Sequence, residues 1–129
     1  MSIGDDRQGE WVEPLRAERE KQGDAVVVRA FGQVDSHTAP ELREQLAAGF
    51  TDAAAGRGPV VVDLTGVDFL GSVGLSLLVE YHQLGVRQGT PLRVVAPARN
   101  PLRALRATML DQTLEMYRDV PEALAATSS

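Results

Sequence analysis

The fold of this chain is decided by residues 63–75, which read Asp63-Leu64-Thr65-Gly66-Val67-Asp68-Phe69-Leu70-Gly71-Ser72-Val73-Gly74-Leu75. The run over residues 59–64, with valines at 60–62, predicts a strand that is covered on both faces. We expect the chain to leave the strand through a tight turn and to enter a helix that runs from about Ser72 to Arg87. A serine at a helix start can cap the helix or carry a phosphate whose charge the helix end favours. The residues alone leave both roles of Ser72 open.

The residues before this stretch predict a β-hairpin and a helix. Residues 15–20 are a weak strand candidate, and residues 25–31 are a clear β-branched strand that we expect to end at Gly32. Residues 38–41, Thr-Ala-Pro-Glu, form a capping-box pattern with proline in the first turn, which predicts a helix start. That helix should bury one stripe of side chains, formed by Leu42, Leu46, Phe50 and Ala53.

The residues after it predict four more elements. These are a strand over 92–96, a helix that Asn100-Pro101 caps and that carries Leu102, Leu105 and Met109, a strand over 113–117, and a short helix opened by residues 119–121. The resulting order, β-β-α-β-α-β-α-β-α, predicts a single α/β domain with a mixed, mostly parallel sheet of about five strands and about four helices. We expect residues 1–12 to be a flexible N-terminal arm and residues 13–126 to be the domain.

The helix that begins at Ser72 has a wider apolar arc than one sheet face requires. At about 100° per residue, its core face spans about 140°. Leu75, Val79, His82 and Val86 widen the apolar arc to roughly 240°. Either a neighbouring element, such as the C-terminal helix, covers the additional arc, or a partner protein binds it. The predicted core face consists of Val73, Gly74, Leu77, Leu78, Tyr81, Leu84 and Gly85.

Composition excludes several classes of function. The net charge of −5 and the pI near 5.0 argue against a nucleic-acid-binding protein, which needs a basic patch. The apolar runs are too short to span a bilayer, and residues 1–10 are too polar for a secretory signal. The absence of cysteine excludes disulfides and cysteine-based zinc sites. We therefore expect a cytoplasmic protein that has no cofactor or metal and does not insert into a membrane.

The same residues argue against an enzyme. A nucleotide-binding loop needs a lysine after its second glycine, where Ser72 stands, and the spacing of a serine-hydrolase elbow is absent. His82 lies too far along the same helix to activate Ser72, and His37 is expected to be a solvated loop residue. Three aspartates at strand ends or in loops either bond nearby backbone N–H groups or form a rim for a partner; they are Asp35, Asp63 and Asp68.

Two motifs resemble the STAS domain. Residues 31–39, Phe-Gly-Gln-Val-Asp-Ser-His-Thr-Ala, resemble its G-E-[LV]-D-x-x-[TN]-A entry motif, and residues 68–75 resemble its F-[LM]-D-S-[ST]-G-L motif. Within that family, the chain is most similar to the small, free-standing anti-sigma factor antagonists of bacteria. The resemblance covers roughly residues 13–126. In two places the chain departs from the motif, because Gly71 replaces the family aspartate and Val73 replaces the next Ser or Thr.

The resemblance implies a non-enzymatic regulator. It implies binding to an anti-sigma factor that is also a serine-protein kinase, release of a sigma factor, phosphorylation of Ser72 that ends binding, and reversal by a phosphatase. The alternative is a STAS subunit of a membrane lipid or solute transport complex, where the same helix edge docks on an ATPase or permease. The partner-binding residues that the resemblance and the helix projection predict are Asp35, Ser36, Asp68, Gly71, Ser72, Val73, Leu75, Ser76 and Val79.

Overall fold

The computed structural model of the protein describes residues 15–97 and 99–126. The predicted arm over residues 1–12 lies outside these ranges, and the boundaries of the domain stay a prediction. Within the described ranges the elements follow the predicted order, β-β-α-β-α-β-α-β-α, with a 3-10 turn (Leu110–Gln112) before the last strand. The elements are β1 (Arg16–Gln22), β2 (Ala25–Val34), α1 (Ala39–Gly56), β3 (Val60–Leu70), α2 (Ser72–Gln88), β4 (Leu92–Val95), α3 (Arg99–Ala107), β5 (Glu115–Tyr117) and α4 (Val120–Ala125).

The five described strands form one sheet in the order β1-β2-β3-β4-β5. β1 pairs antiparallel with β2 across the hairpin, and every later pair is parallel. The prediction of a mixed, mostly parallel sheet is confirmed. Because β2 to β5 are parallel, their carboxyl ends lie along one edge of the sheet, which is where α/β proteins of this kind usually place their binding sites.

The valines of the central strands divide the core between the two faces of the sheet. Val28 and Val62 belong to the main core with residues of α1, α2 and α3. Their neighbours Val27 and Val61 point to the other face, where they pack with Ala123 of α4. The C-terminal helix therefore lies on the face opposite α2, and the expectation that it covers the additional apolar arc of α2 is wrong.

The predicted stripe of α1 is confirmed. Leu42, Leu46, Phe50 and Ala53 are all buried, and the Phe50 ring packs on the Tyr81 ring of α2 with centroids 5.4 Å apart. Burial of this stripe contributes a large part of the stability, because each large apolar side chain removed from water adds about 1.5–3 kcal/mol.

Two strands are longer than the sequence predicted. β2 passes through Gly32 to Val34, and the pairing of β2 with β3 shifts its register beside Gly32, whose φ is 106°. A glycine at such an irregularity bends a strand without ending it. β3 likewise continues to Leu70, so the expected tight turn is replaced by the single residue Gly71.

The predicted helix around residues 100–109 is shorter than expected. α3 ends at Ala107, and Met109 lies beyond it with a left-handed backbone (φ 62°) and 60% of its surface exposed. Met109 is therefore not a core residue, whereas Leu105 is fully buried as predicted. The backbone reversal at Met109 leads into the 3-10 turn, so the helical period cannot continue through it.

Candidate functional site

The candidate site lies at the carboxyl ends of β2 and β3. Val34 and Leu70, the last residues of the two strands, are paired, and the Gly71 N–H donates to the Val34 carbonyl oxygen at 2.9 Å. The loop over residues 35–38 and the start of α2 are thereby held side by side. The two sequence motifs, which 28 residues (40–67) separate in the chain, meet at this edge of the sheet.

The loop after β2 is organised by Asp35. Its Oδ1 accepts hydrogen bonds from the backbone N–H of His37 at 2.9 Å and of Thr38 at 3.1 Å. These backbone hydrogen bonds hold the pKa of the Asp35 carboxyl below its usual value, and the hydrogen bond from the Thr38 N–H has the largest effect. The turn chemistry expected for an aspartate here is therefore present, and Asp35 remains half-buried at the rim of the site.

Thr38 does not form the predicted capping box. Its hydroxyl donates to the Gln33 carbonyl oxygen at 2.7 Å and accepts from the Asp35 N–H at 2.9 Å, and no side-chain hydrogen bond caps α1. The hydroxyl therefore stabilises the loop before α1 and does not cap the helix. This prediction failed because Ser and Thr side chains bond local backbone groups of loops and of helix starts alike, and the two cannot be told apart from spacing.

Ser72 is not the cap of α2. Gly71 holds the N-cap position, and no side chain caps the helix there, so Ser72 is the first helical residue and is exposed. A cap must stand one residue earlier, where its oxygen can reach the N–H groups of the first turn. The cap role that the sequence left open for Ser72 is therefore wrong. Its hydroxyl is instead presented to solvent beside the positive end of a 17-residue helix.

Close packing fixes the start of α2 on the strand ends. A Cβ added at Gly74 would lie 2.5 Å from Leu70 Cδ1 and 2.8 Å from Val34 Cγ1. Only a glycine at this position lets the helix approach the last residues of β2 and β3 this closely. The exposed Ser72 is thus mounted on a rigid junction of two strands and one helix.

Asn100 is a site residue that the sequence did not predict. Its Oδ1 accepts the Leu70 N–H at 2.9 Å, across thirty residues of sequence. We expected Asn100 to cap α3, but it lies within the helix, and its side chain binds the last residue of β3. No local pattern could reveal this contact, because it depends on how α3 packs beside β3.

A shallow groove runs along the exposed side of α2. Its volume is about 320 Å³, and it lies between the helix and Leu110 of the 3-10 turn. Arg43 of α1 binds Glu80 at its edge with two hydrogen bonds, of 2.7 and 3.1 Å, which lower the pKa of the Glu80 carboxyl. The groove is lined by Leu75, Ser76, Val79, Glu80, Gln83 and Leu110. The additional apolar arc of α2 is therefore only partly covered.

The predicted partner-binding residues divide into two groups. Asp35, Ser36, Gly71 and Ser72 meet where β2 and β3 end, whereas Leu75, Ser76 and Val79 line the groove one to two turns further along α2. Val73 is half-buried and packs against the core, and Asp68 is exposed near the end of β3. Phe69 was not among the predicted binding residues. It follows Asp68 in β3, and 43% of its surface is exposed.

The two histidines lie on different elements, His37 in the loop after β2 and His82 on α2. His37 is exposed in its loop, as expected, and His82 is half-buried on α2. Over residues 15–97 and 99–126, no three His, Cys, Asp or Glu side chains are grouped as metal ligands. In the same ranges, no helix has both the length and the apolar character needed to cross a membrane.

Known proteins are similar to this chain in sequence and in fold. The family model of the STAS domain matches residues 16–123. A protein of Mycobacterium tuberculosis described as a candidate anti-anti-sigma factor is 34% identical over 85% of this chain and 74% of its own length. The anti-sigma-F factor antagonist RsfA of the same species is 29% identical over 88% of each chain.

A solved structure of a protein of the same class is similar to this chain in fold. The crystal structure of an anti-sigma factor antagonist from Mycobacterium paratuberculosis superposes with a TM-score of 0.71 and 32% identity, covering 85% of this chain and 91% of that one. The match of the STAS family model, over residues 16–123, includes both motifs and all five strands of the described sheet. This chain belongs to the STAS domain family.

Proposed function

We propose that this protein is an anti-sigma factor antagonist that binds an anti-sigma factor and releases a sigma factor, with Ser72 as a phosphorylation switch. The observation that carries the proposal is the exposed, non-capping position of Ser72 on the first turn of α2. The named relatives, described as antagonists of anti-sigma factors, support the class of partner. They favour this function over that of a transport-complex subunit.

The surroundings of Ser72 suit a phosphate on this domain. Phosphorylation adds about −1.5 to −2 charges at neutral pH. The backbone N–H groups of the first turn of α2 have no side-chain cap, and the helix end favours an anion. Because the modified group extends into solvent from a rigid junction, the fold of the domain need not change.

The same phosphate would oppose a partner. A complex that covers Ser72 would have to desolvate the phosphate on the same proposed face as the carboxylates of Asp35 and Asp68. A loss of about 3 kcal/mol weakens binding by more than a hundredfold, which is enough for a switch. Charge alone can therefore turn binding off.

The proposed binding face joins both groups of predicted residues. The rim around Ser72 supplies the charge-sensitive part, and the groove along α2 supplies apolar contact through Leu75 and Val79. We propose that the partner is a serine-protein kinase as well as an anti-sigma factor, and that a phosphatase restores the free serine. The protein itself would act in the cytoplasm by binding, without a catalytic residue, cofactor or metal.

Variants at residue 72 test the switch. The purified anti-sigma factors of the host are titrated with the unmodified protein, Ser72→Glu and Ser72→Gln, which has the same size as glutamate but no charge. We expect a one-to-one complex with one of them, a hundredfold loss for Ser72→Glu, and a smaller loss for Ser72→Gln. Equal affinities for Ser72→Glu and the unmodified protein would contradict the proposal.

A further inference from the structure

Phe69 is exposed at the centre of the site, next to a glycine that makes room for it. Its ring has 43% of its surface exposed, although most large apolar side chains of the described residues are in the core. A Cβ added at Gly71 would lie 3.1 Å from Phe69 Cε2 and 3.6 Å from Phe69 Cζ. The ring therefore lies against the α-carbon of Gly71, directly before Ser72.

Gly71 is not required by the backbone. Its φ of −81° and ψ of 179° are ordinary extended values that any residue adopts. The constraint is space, because a side chain here would also approach the Val34 carbonyl oxygen at 3.2 Å. A residue larger than glycine would press on the ring from one side and on the end of β2 from the other.

The family motif has a phenylalanine in the place of Phe69 as well as an aspartate in the place of Gly71, so the departure changes the surroundings of the ring and not its presence. An aspartate at residue 71 would place a carboxylate beside Ser72, whereas glycine leaves that place to an aromatic ring. An exposed aromatic side chain on rigid backbone is the kind of residue that dominates binding energy in protein interfaces. The ring also adjoins the proposed binding face. Asp68 precedes Phe69 in the chain, and the ring lies beside Gly71, the residue before Ser72.

We propose that Phe69 is the apolar anchor of the interface with the anti-sigma factor and that Gly71 holds it in place by leaving space for its ring. This rests on the proposed function and names the chemistry of the partner, which should offer an apolar pocket where residue 69 docks. The pair would then select a partner whose surface suits a ring with no carboxylate beside it.

The test is a double-mutant cycle measured with the host anti-sigma factor that binds the unmodified protein. We expect Phe69→Ala to weaken binding about thirtyfold, as for an interface hot spot. Gly71→Ala, which adds only a methyl group, should weaken binding about five- to tenfold in the unmodified background and less than twofold in the Phe69→Ala background. Val86→Ala is the matched control, because Val86 is 71% exposed at the far end of α2 and does not line the groove of the proposed binding face, and binding should stay within twofold.

The outcomes separate this inference from the proposed function. If Phe69→Ala binds within twofold of the unmodified protein while Ser72→Glu does not bind, the anchor is wrong and the switch stands. If Gly71→Ala weakens binding equally in both backgrounds, the role of Gly71 in placing the ring is wrong. If the unmodified protein binds none of the host anti-sigma factors, both proposals fail. Circular dichroism and thermal unfolding of each variant distinguish loss of binding from loss of fold.

Discussion

The two sides of helix α2 obey different constraints. On the buried side, Leu77 and Leu78 are less than 2% exposed, and Gly74 lets the helix contact the ends of β2 and β3. On the other side, Ser72 and Ser76 are exposed, and Leu75 and Val79 line an open groove. Packing within the chain selects the residues of the first side. The residues of the second side are only partly covered by the chain itself, since Leu75 packs against the edge of the core while the groove stays open, and we propose that a partner covers them.

The largest effect should come from the buried side. Leu77→Ala removes a fully buried side chain from the main core, and we expect a loss of about 3 kcal/mol in the free energy of unfolding. Val86→Ala, on the exposed side of the same helix, should change it by less than about 0.5 kcal/mol. Urea denaturation of both variants measures the contrast. Similar losses for the two would show that the sides do not differ in packing.

The two glycines at the start of α2 sharpen the comparison. Gly74→Val forces new methyl groups onto Leu70 and Val34, and overpacking of this kind costs about 1–3 kcal/mol. Gly71→Ala meets an exposed ring that can move, so we expect a loss below about 1 kcal/mol. Thermal unfolding of the two variants is the measurement. A larger loss for Gly71→Ala than for Gly74→Val would mean that residue 71 is part of the core.

Substitutions of Asn100 test how strongly its hydrogen bond to Leu70 stabilises the strand end before Ser72. Asn100→Ala leaves the buried Leu70 N–H without its acceptor, which should lower the free energy of unfolding by about 1–2 kcal/mol. Asn100→Asp keeps an oxygen acceptor at the same place and should recover most of that loss. Hydrogen exchange at the Leu70 amide reports the contact directly. Unchanged exchange in Asn100→Ala would show that this hydrogen bond is not maintained in solution.

The smallest effect should come from the ion pair at the groove edge. Arg43 lowers the pKa of Glu80 below its ordinary value of 4.5, so the pair stabilises the fold above pH 4.5 and loses its contribution as the pH falls through the lowered pKa. Both side chains are about half exposed, so the effect is small. The stability difference between the unmodified protein and Glu80→Gln, followed by urea denaturation from pH 7 to pH 3, should shrink below pH 4.5. A difference that grows in acid would contradict this assignment.

The sequence predicted what repeats along the chain. The α1 stripe and the core side of α2 follow a period of about 3.6 residues, and residues 60–62 form a continuous apolar run. These residues are buried as predicted, except that Val73 and Leu84 of α2 are half-buried. The predicted order of the elements was correct for the same reason. Once strands and helices alternate, the handedness and the shortness of connections leave few arrangements of the sheet.

The errors lie where contacts between distant residues decide the local structure. Gly32 reads as a strand end, but pairing with β3 carries β2 past it. Asn100 was predicted to cap α3, but its side-chain oxygen accepts a hydrogen bond from the Leu70 N–H instead. Ser72 reads as a cap or a switch, and only the position of Gly71 in the structure removes the first role. Phe69 was quoted only as part of a motif, and its exposure became apparent only from the structure.

The most direct test of the central claim is mass spectrometry of the protein purified from its own host during growth and under stress, with and without phosphatase. We expect an added mass of about 80 Da, one phosphate, on the peptide that contains Ser72. The added mass should be removed by phosphatase and absent from a Ser72→Ala strain. A Ser72 peptide that stays unmodified in every condition would contradict a phosphate switch at this exposed helix start.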